Sequence, residues 1–176
     1  MQQKIVLIGG PGTGKSSVLK EFVRRGYECM PEVSRKVTLK AQKEGIDQLF
    51  LENPLLFSKL LLEQREQQFK EAMLSDKKLV FFDRGIPDIH AYMDYLKTEY
   101  PHTYIEKSLQ YKYNKVFMLR PWKEIYTQDN ERYESFEQAI ELDKFLRKTY
   151  ESLGYSIIDT PFDTVKNRCD FILNSL

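Results

Sequence analysis

Gly9-Gly10-Pro11-Gly12-Thr13-Gly14-Lys15-Ser16 decides how this chain is read. The run satisfies G-x-x-x-x-G-K-[ST] at every required position. Before it stands Lys4–Ile8 (KIVLI), whose apolar, β-branched composition suits a strand buried on both faces. After it, Lys15–Arg25 sets Val18, Leu19, Phe22 and Val23 on one helical face. A glycine-rich turn between such a strand and such a helix points several backbone N–H groups inward. It also places the positive end of the helix at the same spot, so the turn is a cage for an anion. Gly9, Gly10, Pro11, Gly12, Thr13, Gly14, Lys15, Ser16 and Ser17 are the candidate nucleotide-binding residues. Lys15 can reach the β- and γ-phosphates as a point charge, and Ser16 can place its hydroxyl on Mg2+. The expected ligand is a nucleoside triphosphate, ATP or GTP, with magnesium.

Moving outward, Lys78–Phe82 is a second strong strand signal and runs into Asp83 (LVFFDRG). A carboxylate at the end of a neighbouring strand is what a phosphate-binding loop needs to hold the magnesium shell, which makes Ser16 and Asp83 the candidate metal residues. Tyr27–Met30, Lys115–Leu119 and Tyr155–Asp159 read as further strands. Between them lie helical patterns at Asn53–Ser75, Pro87–Lys97, His102–Lys112, Glu134–Leu153 and Asp163–Leu173. Asn53 before Pro54 is a cap followed by a first turn, and Gly154 supplies a C-terminal stop. Strands alternating with helices predict an α/β fold with a mostly parallel sheet and helices on both faces.

The chain has 176 residues, room for one domain spanning 1–176. Lys and Arg number 27 against 26 Asp and Glu, for a net charge of +1, which argues against a dedicated DNA-binding module. No run approaches the ~18 apolar residues of a membrane span. The apolar start, Ile5 to Ile8, breaks at once into glycines and does not read as a secretory signal. Cys29 and Cys169 match no metal or redox spacing. The expected location is the cytoplasm.

Several classes of phosphate-loop protein are excluded. Asn114-Lys115-Val116-Phe117 lacks the Asp of a guanine-reading Asn-Lys-x-Asp and stands at the start of a strand instead of its end. The length leaves little room for the helical lid domain of a full AAA+ machine. Small nucleoside and nucleotide kinases fit. They need an acceptor-side carboxylate, a cation near the transferred phosphoryl and a flap that excludes water. Glu32, just after the second strand, can take the proton of an acceptor hydroxyl. Arg35, three residues on and on the same helical face, can orient Glu32 or hold an anion. Arg84 follows the metal Asp and can touch the acceptor hydroxyl or the phosphoryl. Asp88 either binds acceptor hydroxyls or caps a helix. The polar stretch at about 120–133 is a candidate flap, with Arg120, Lys123 and Arg132 as its cations. Trp122 stacks on a ring or pins that flap. Pro161 stands where adenine commonly rests in this architecture.

Five stretches, GGPGTGKSS, EVSR, FFDRGIPDIHAY, RPWKEIYTQDNER and YESLGYSIIDTPFDTVKNRCDFIL, carry a family resemblance over nearly the whole chain. The chain resembles the AAA-type ATPase and kinase-like domains grouped with the ribosylnicotinamide kinase part of the bacterial NAD-regulatory protein. The resemblance implies a P-loop kinase-like fold, with five parallel strands in the order 2-3-1-4-5, and binding of ATP or GTP. The expected activity is transfer of the γ-phosphoryl group to a hydroxyl of a nucleoside-like or other small acceptor. Lys15, Glu32, Asp83, Arg84, Arg120 and Arg132 would be catalytic, and Glu32, Arg35 and Asp88 acceptor-binding. The alternative is a nucleotide-dependent switch or slow NTPase acting through a protein or lipid partner.

Overall fold

Strand β1 (Gln3–Ile8) shows how the sheet is built, because its side chains split between two cores. Ile5 and Leu7 face one cluster, with Phe81 and Phe117 from neighbouring strands and Leu119 just past the end of one. Val6 and Ile8 face the other, with Val80, Phe82, Val116 and Met118. A period of two on a strand covered on both sides gives this division. The computed structural model describes residues 1–46, 48–126 and 135–176.

The remaining strands are β2 (Glu28–Met30), β3 (Leu79–Asp83), β4 (Lys115–Met118) and β5 (Ile157–Asp159). They pair in parallel in the order β2-β3-β1-β4-β5. That is the expected topology, and each strand lies where the apolar runs placed it. The helices are α1 (Lys15–Arg24), α2 (Ser34–Lys43), α3 (Leu49–Glu52), α4 (Pro54–Leu74), α5 (Ile86–Tyr95), α6 (Thr103–Gln110), α7 (Phe136–Ser152) and α8 (Val165–Asn174). Helices α1 and α8 cover the Ile5 face through Val18, Leu19, Phe22, Cys169 and Ile172. Helices α4, α5 and α7 cover the other face, through Leu62, Phe69, Ile89, Leu142, Leu146 and Tyr150 among others.

Local chemistry sets the helix ends. The Asn53 side chain accepts from the Leu56 N–H at 3.0 Å and starts α4, as its sequence suggests. Helix α7 begins two residues later than expected, because Ser135 caps the Gln138 N–H and the Gln138 side chain returns to the Ser135 N–H. Helix α3 has no counterpart in the sequence pattern, and of α2 only the start is expected, as a helical face shared by Glu32 and Arg35. Of the ten residues in α2 only Val37 and Ala41 are buried, too thin a stripe for periodicity to reveal. Because α2 begins at Ser34, Glu32 lies in the turn before it and not on a helical face with Arg35.

In a parallel sheet all carboxyl ends share one edge, where ligands of open α/β folds bind. Register makes the edge even: Leu7 pairs with Asp83, Ile8 with Met118, Met30 with Phe82 and Met118 with Asp159. The glycine-rich loop, Glu32, Asp83, Arg84 and Arg120 therefore emerge side by side.

Candidate active site

The loop between β1 and α1 folds around its own lysine. Lys15 Nζ donates to the Gly9 carbonyl at 2.7 Å, the Gly10 carbonyl at 2.8 Å and Thr13 Oγ1 at 3.3 Å. Burial, with help from Arg84, lowers its pKa to about 8. Ser16 and Ser17, in the first turn of α1, are exposed, so the positive end of that helix is open.

Asp83 closes β3 beside this loop. Burial, opposed by Lys15, raises its pKa to about 6. Its Oδ1 is buried with no hydrogen-bond partner among the described residues. The next two residues are fixed by packing. Arg84 adopts a left-handed backbone (φ 69°) and donates its N–H to the Leu7 carbonyl. For an L side chain that conformation costs about 1–2 kcal/mol. Gly85 has no alternative, since a Cβ there would stand 2.5 Å from the Tyr150 hydroxyl. Asp-Arg-Gly is thus a carboxylate, a strained arginine and a residue small enough to let α7 approach.

Glu32 lies between two arginines. Arg84 Nε donates to Glu32 Oε2 at 2.9 Å, and Arg65 Nη2 stands 3.7 Å from Oε1. Burial pushes the Glu32 carboxyl up, but Arg84, Arg65 and Lys15 together outweigh it and hold the pKa at about 2. Helix α4 fastens the surroundings. Gln68 donates to the Pro31 carbonyl at 2.7 Å, and Arg65 Nη1 donates to the Gly85 carbonyl at 2.6 Å. One helix so ties together the two strand ends that carry Glu32 and Arg84. Arg84 also lies 5.2 Å from the Tyr92 ring centre.

The structure brings the loop, Glu32, Asp83 and Arg84 to one place. Asp88 is fully buried beside them and caps α5. Its Oδ2 accepts from the Gly85 N–H at 2.8 Å and from the Tyr150 hydroxyl at 2.6 Å. Arg35 is exposed on α2. Arg120 follows β4, half exposed, with Nε 3.7 Å from Asp143 Oδ2. Of the expected flap, 120–126 is described. Its Tyr126 ring packs on the Gly12 backbone, and Trp122 stacks on Phe162 with centroids 5.4 Å apart. Arg132 lies outside the described residues. His90 is buried against Ser108 Oγ at 3.1 Å, and burial lowers its pKa to about 4, so it is a neutral packing group.

Two functional candidates escape a reading of the sequence: Arg65 in α4 and Arg168 in α8. Both lie on the buried stripes of their helices, Arg65 with Leu61, Leu62 and Phe69, and Arg168 with Cys169 and Ile172. A charge on an apolar stripe is the available signal.

Comparison with known proteins gives the same outline. The model of a family described as an AAA domain matches residues 4–168. The chain belongs to that family. No curated protein matches it. Among solved structures, this AAA domain is similar to a deoxyadenosine kinase from M. mycoides (20% identity, TM-score 0.71, 98% of each chain covered). It is also similar to a NadR protein in complex with NR, at 14% identity and TM-score 0.79, covering 99% of this chain and 50% of that one. A shikimate kinase from Acinetobacter baumannii matches at 17% identity and TM-score 0.60, with 99% and 93% covered. The shared fold is the P-loop kinase fold. No helix among the described residues is long and apolar enough to cross a membrane.

Proposed function

We propose that this protein is a small-molecule kinase that transfers the γ-phosphoryl group of a nucleoside triphosphate to a hydroxyl of a small, nucleoside-like acceptor. The observation that carries the reading is the state of the polar atoms around Glu32. Glu32 Oε1, Arg65 Nε, Asp83 Oδ1, Arg84 Nη1 and Asp88 Oδ1 are all buried without a hydrogen-bond partner among the described residues. Three of the five face an opposite charge at 3.6–3.7 Å, beyond hydrogen-bond reach, and buried polar groups held so loosely favour a polar ligand that completes them. A domain that only bound nucleotide would have no use for a second cluster of charged groups of this kind beside its phosphate loop.

The roles follow from the geometry. The loop and the open end of α1 hold the phosphate tail, with Lys15 as the charge at its centre. Glu32 is ionised at every physiological pH, because its arginines hold its pKa at about 2. It therefore accepts a hydrogen bond from the acceptor hydroxyl and aims its oxygen at phosphorus. Phosphoryl transfer has a loose transition state that asks for alignment and charge stabilisation more than for a strong base. In this reading Arg84, held by Glu32, stabilises the charge that develops on the transferred group. Tyr92, against Arg84 and with Phe50 and Phe57 behind it, favours a ring-bearing acceptor.

The residues fit magnesium. Asp83 Oδ1 has no hydrogen-bond partner, Ser16 is exposed and no trio of metal-ligating side chains exists among the described residues. Magnesium commonly takes one or two carboxylates and completes its shell from substrate phosphates and water. When bound, it supplies neutralisation of charge on the phosphates.

The test is incubation with ATP or GTP, magnesium and a metabolite library, read as a mass gain of one phosphoryl group. The expected result is one acceptor class modified, with Glu32→Gln keeping nucleotide affinity and losing transfer. Triphosphate binding with no acceptor modified, and a partner bound differently in the tri- and diphosphate states, would replace this reading with that of a regulatory switch.

A further inference from the structure

Arg168 is one of the most completely enclosed side chains in the molecule, at 2% exposure, yet it forms no ion pair among the described residues. From α8 its Nη1 reaches the phosphate loop and donates to the Thr13 carbonyl at 3.1 Å. It packs so closely on Gly14 (φ 87°) that a Cβ there would stand 2.7 Å from Nη1. Its Nε and Nη2 are buried and have no partner among the described residues. These two N–H groups lie on one edge of the guanidinium and point in parallel. They form a fork that takes two acceptors side by side. Helix α8 follows β5, and β5 and β3 lie on opposite sides of β1 in the sheet, which puts the fork on the flank of the loop away from Asp83 and Glu32.

That flank carries the exposed apolar groups of the nucleotide edge. Ile125 Cδ1 lies over Gly14, at 3.4 Å from the position of its missing Cβ. Phe162 is 53% exposed and stacked with Trp122, and Val165 begins α8 one turn before Arg168. Exposed apolar groups at Ile125, Phe162 and Val165, around the stretch that carries a buried two-donor edge, suit a heteroaromatic ring that presents two adjacent acceptors.

We infer that Arg168 reads the base of the donor nucleotide and selects a 6-oxopurine, so that GTP is the preferred donor. The inference rests on the nucleotide reading of the loop given above. Guanine offers O6 and N7 as neighbouring acceptors, the pair that an arginine fork meets in two parallel hydrogen bonds. Adenine offers N7 next to an amino group, whose hydrogens oppose the second N–H of the fork. The discrimination comes from a donor left facing a donor in a buried place.

The experiment is calorimetric titration of the intact wild-type protein with GTP, ITP, 7-deaza-GTP, ATP and inorganic tripolyphosphate, all with magnesium. Trp122, the single tryptophan, gives an independent fluorescence readout. GTP and ITP should bind roughly tenfold or more tightly than ATP, and 7-deaza-GTP should lose most of that advantage. Arg168→Gln should bring the ratio of GTP to ATP affinity close to one, whatever its loss of contact with Thr13 does to tripolyphosphate binding. The analogue series on the wild-type chain stands even if that variant does not fold. ATP binding as well as GTP overturns the inference and leaves the phosphate-loop reading intact. The same holds if Arg168→Gln leaves the ratio of GTP to ATP affinity at its wild-type value. Absence of binding by every triphosphate and by tripolyphosphate overturns both.

Discussion

The two flanks of the phosphate loop balance their charges differently. On the acceptor flank each buried arginine has a protein carboxylate: Arg84 has Glu32 and Asp88, and Arg65 has Glu32. On the donor flank the buried cations hold only neutral oxygens among the described residues. Lys15 holds two carbonyls and a hydroxyl, and Arg168 holds one carbonyl. A buried charge is costly unless paired, so a site that withholds the partner leaves it to the ligand. In the proposed reading the donor flank takes an electron-rich ligand that supplies the missing partner. The acceptor flank, nearly neutral in itself, suits an uncharged hydroxyl compound.

The largest break in this contrast is removal of Lys15. Lys15→Ala leaves the cage without its central charge and should lower kcat/KM for transfer by about 10²–10³-fold or more. The lysine also satisfies the buried Gly9 and Gly10 carbonyls, so stability in denaturant should fall by about 1–3 kcal/mol, far too little to account for the loss of transfer. A large loss of stability with activity retained would show that the lysine is structural and the contrast mistaken.

On the acceptor flank the same kind of change should act the other way round. Arg65→Leu strips Glu32 of one cation and leaves the Gly85 carbonyl unpaired inside the protein. A broken buried pair costs about 3 kcal/mol, which for a chain of this size lowers the melting temperature by roughly 6–12 °C. Thermal unfolding measures it, and a shift near zero would mean that α4 does not hold the cluster together.

The pH profile of kcat/KM sharpens the comparison without a mutation. Asp83 has its pKa raised to about 6, so below that pH it takes a proton and loses the charge a metal needs. Lys15 has its pKa lowered to about 8, so above that pH it loses its proton and the cage its charge. Glu32, at about 2, stays ionised across the whole window and contributes no limb. The expected profile is a bell with limbs at about 6 and about 8, both from the loop and its neighbour. A flat response through this window would remove Lys15 and Asp83 from the roles given to them.

What the sequence displays of this site depends on how each residue is held. The loop is legible because consecutive residues build it between two strongly patterned elements. Asp83 and Glu32 are legible because each follows a strand, and parallel strands deliver their ends to one edge. Arg65 and Arg168 are not, since their meaning comes from what lies across the fold, 20 residues away at Gly85 and 155 at Thr13. Arg35 illustrates the opposite failure. Its nearness to Glu32 in sequence suggests a partnership, but the turn at Pro31 leaves it exposed on α2 while Arg84, 52 residues away, holds Glu32. Most of helix α2 is invisible for a related reason, as its few buried side chains form no stripe.

The smallest expected effect tests whether the acceptor flank is held from behind. The Tyr150 hydroxyl, fully buried on α7, donates to the Asp88 oxygen that also accepts from the Gly85 N–H. Tyr150→Phe removes one of these bonds and keeps the ring, so Asp88 retains its cap on α5 with one donor fewer. The loss should be about 1–2 kcal/mol in chemical denaturation. Asp88 and Arg84 are 3.6 Å apart, so the change should also loosen Arg84 and lower kcat while the KM for nucleotide stays put. A double variant separates the two consequences. Gly85→Ala alone drives a Cβ into the Tyr150 hydroxyl. Combined with Tyr150→Phe that clash is gone, and only the one with the Tyr113 ring, at 2.8 Å, persists. The two substitutions should therefore cost less together than the sum of their separate effects. Strict additivity would mean that the hydroxyl does not set the spacing between α7 and the Asp-Arg-Gly turn, and that Arg84 owes its strained backbone to the sheet alone.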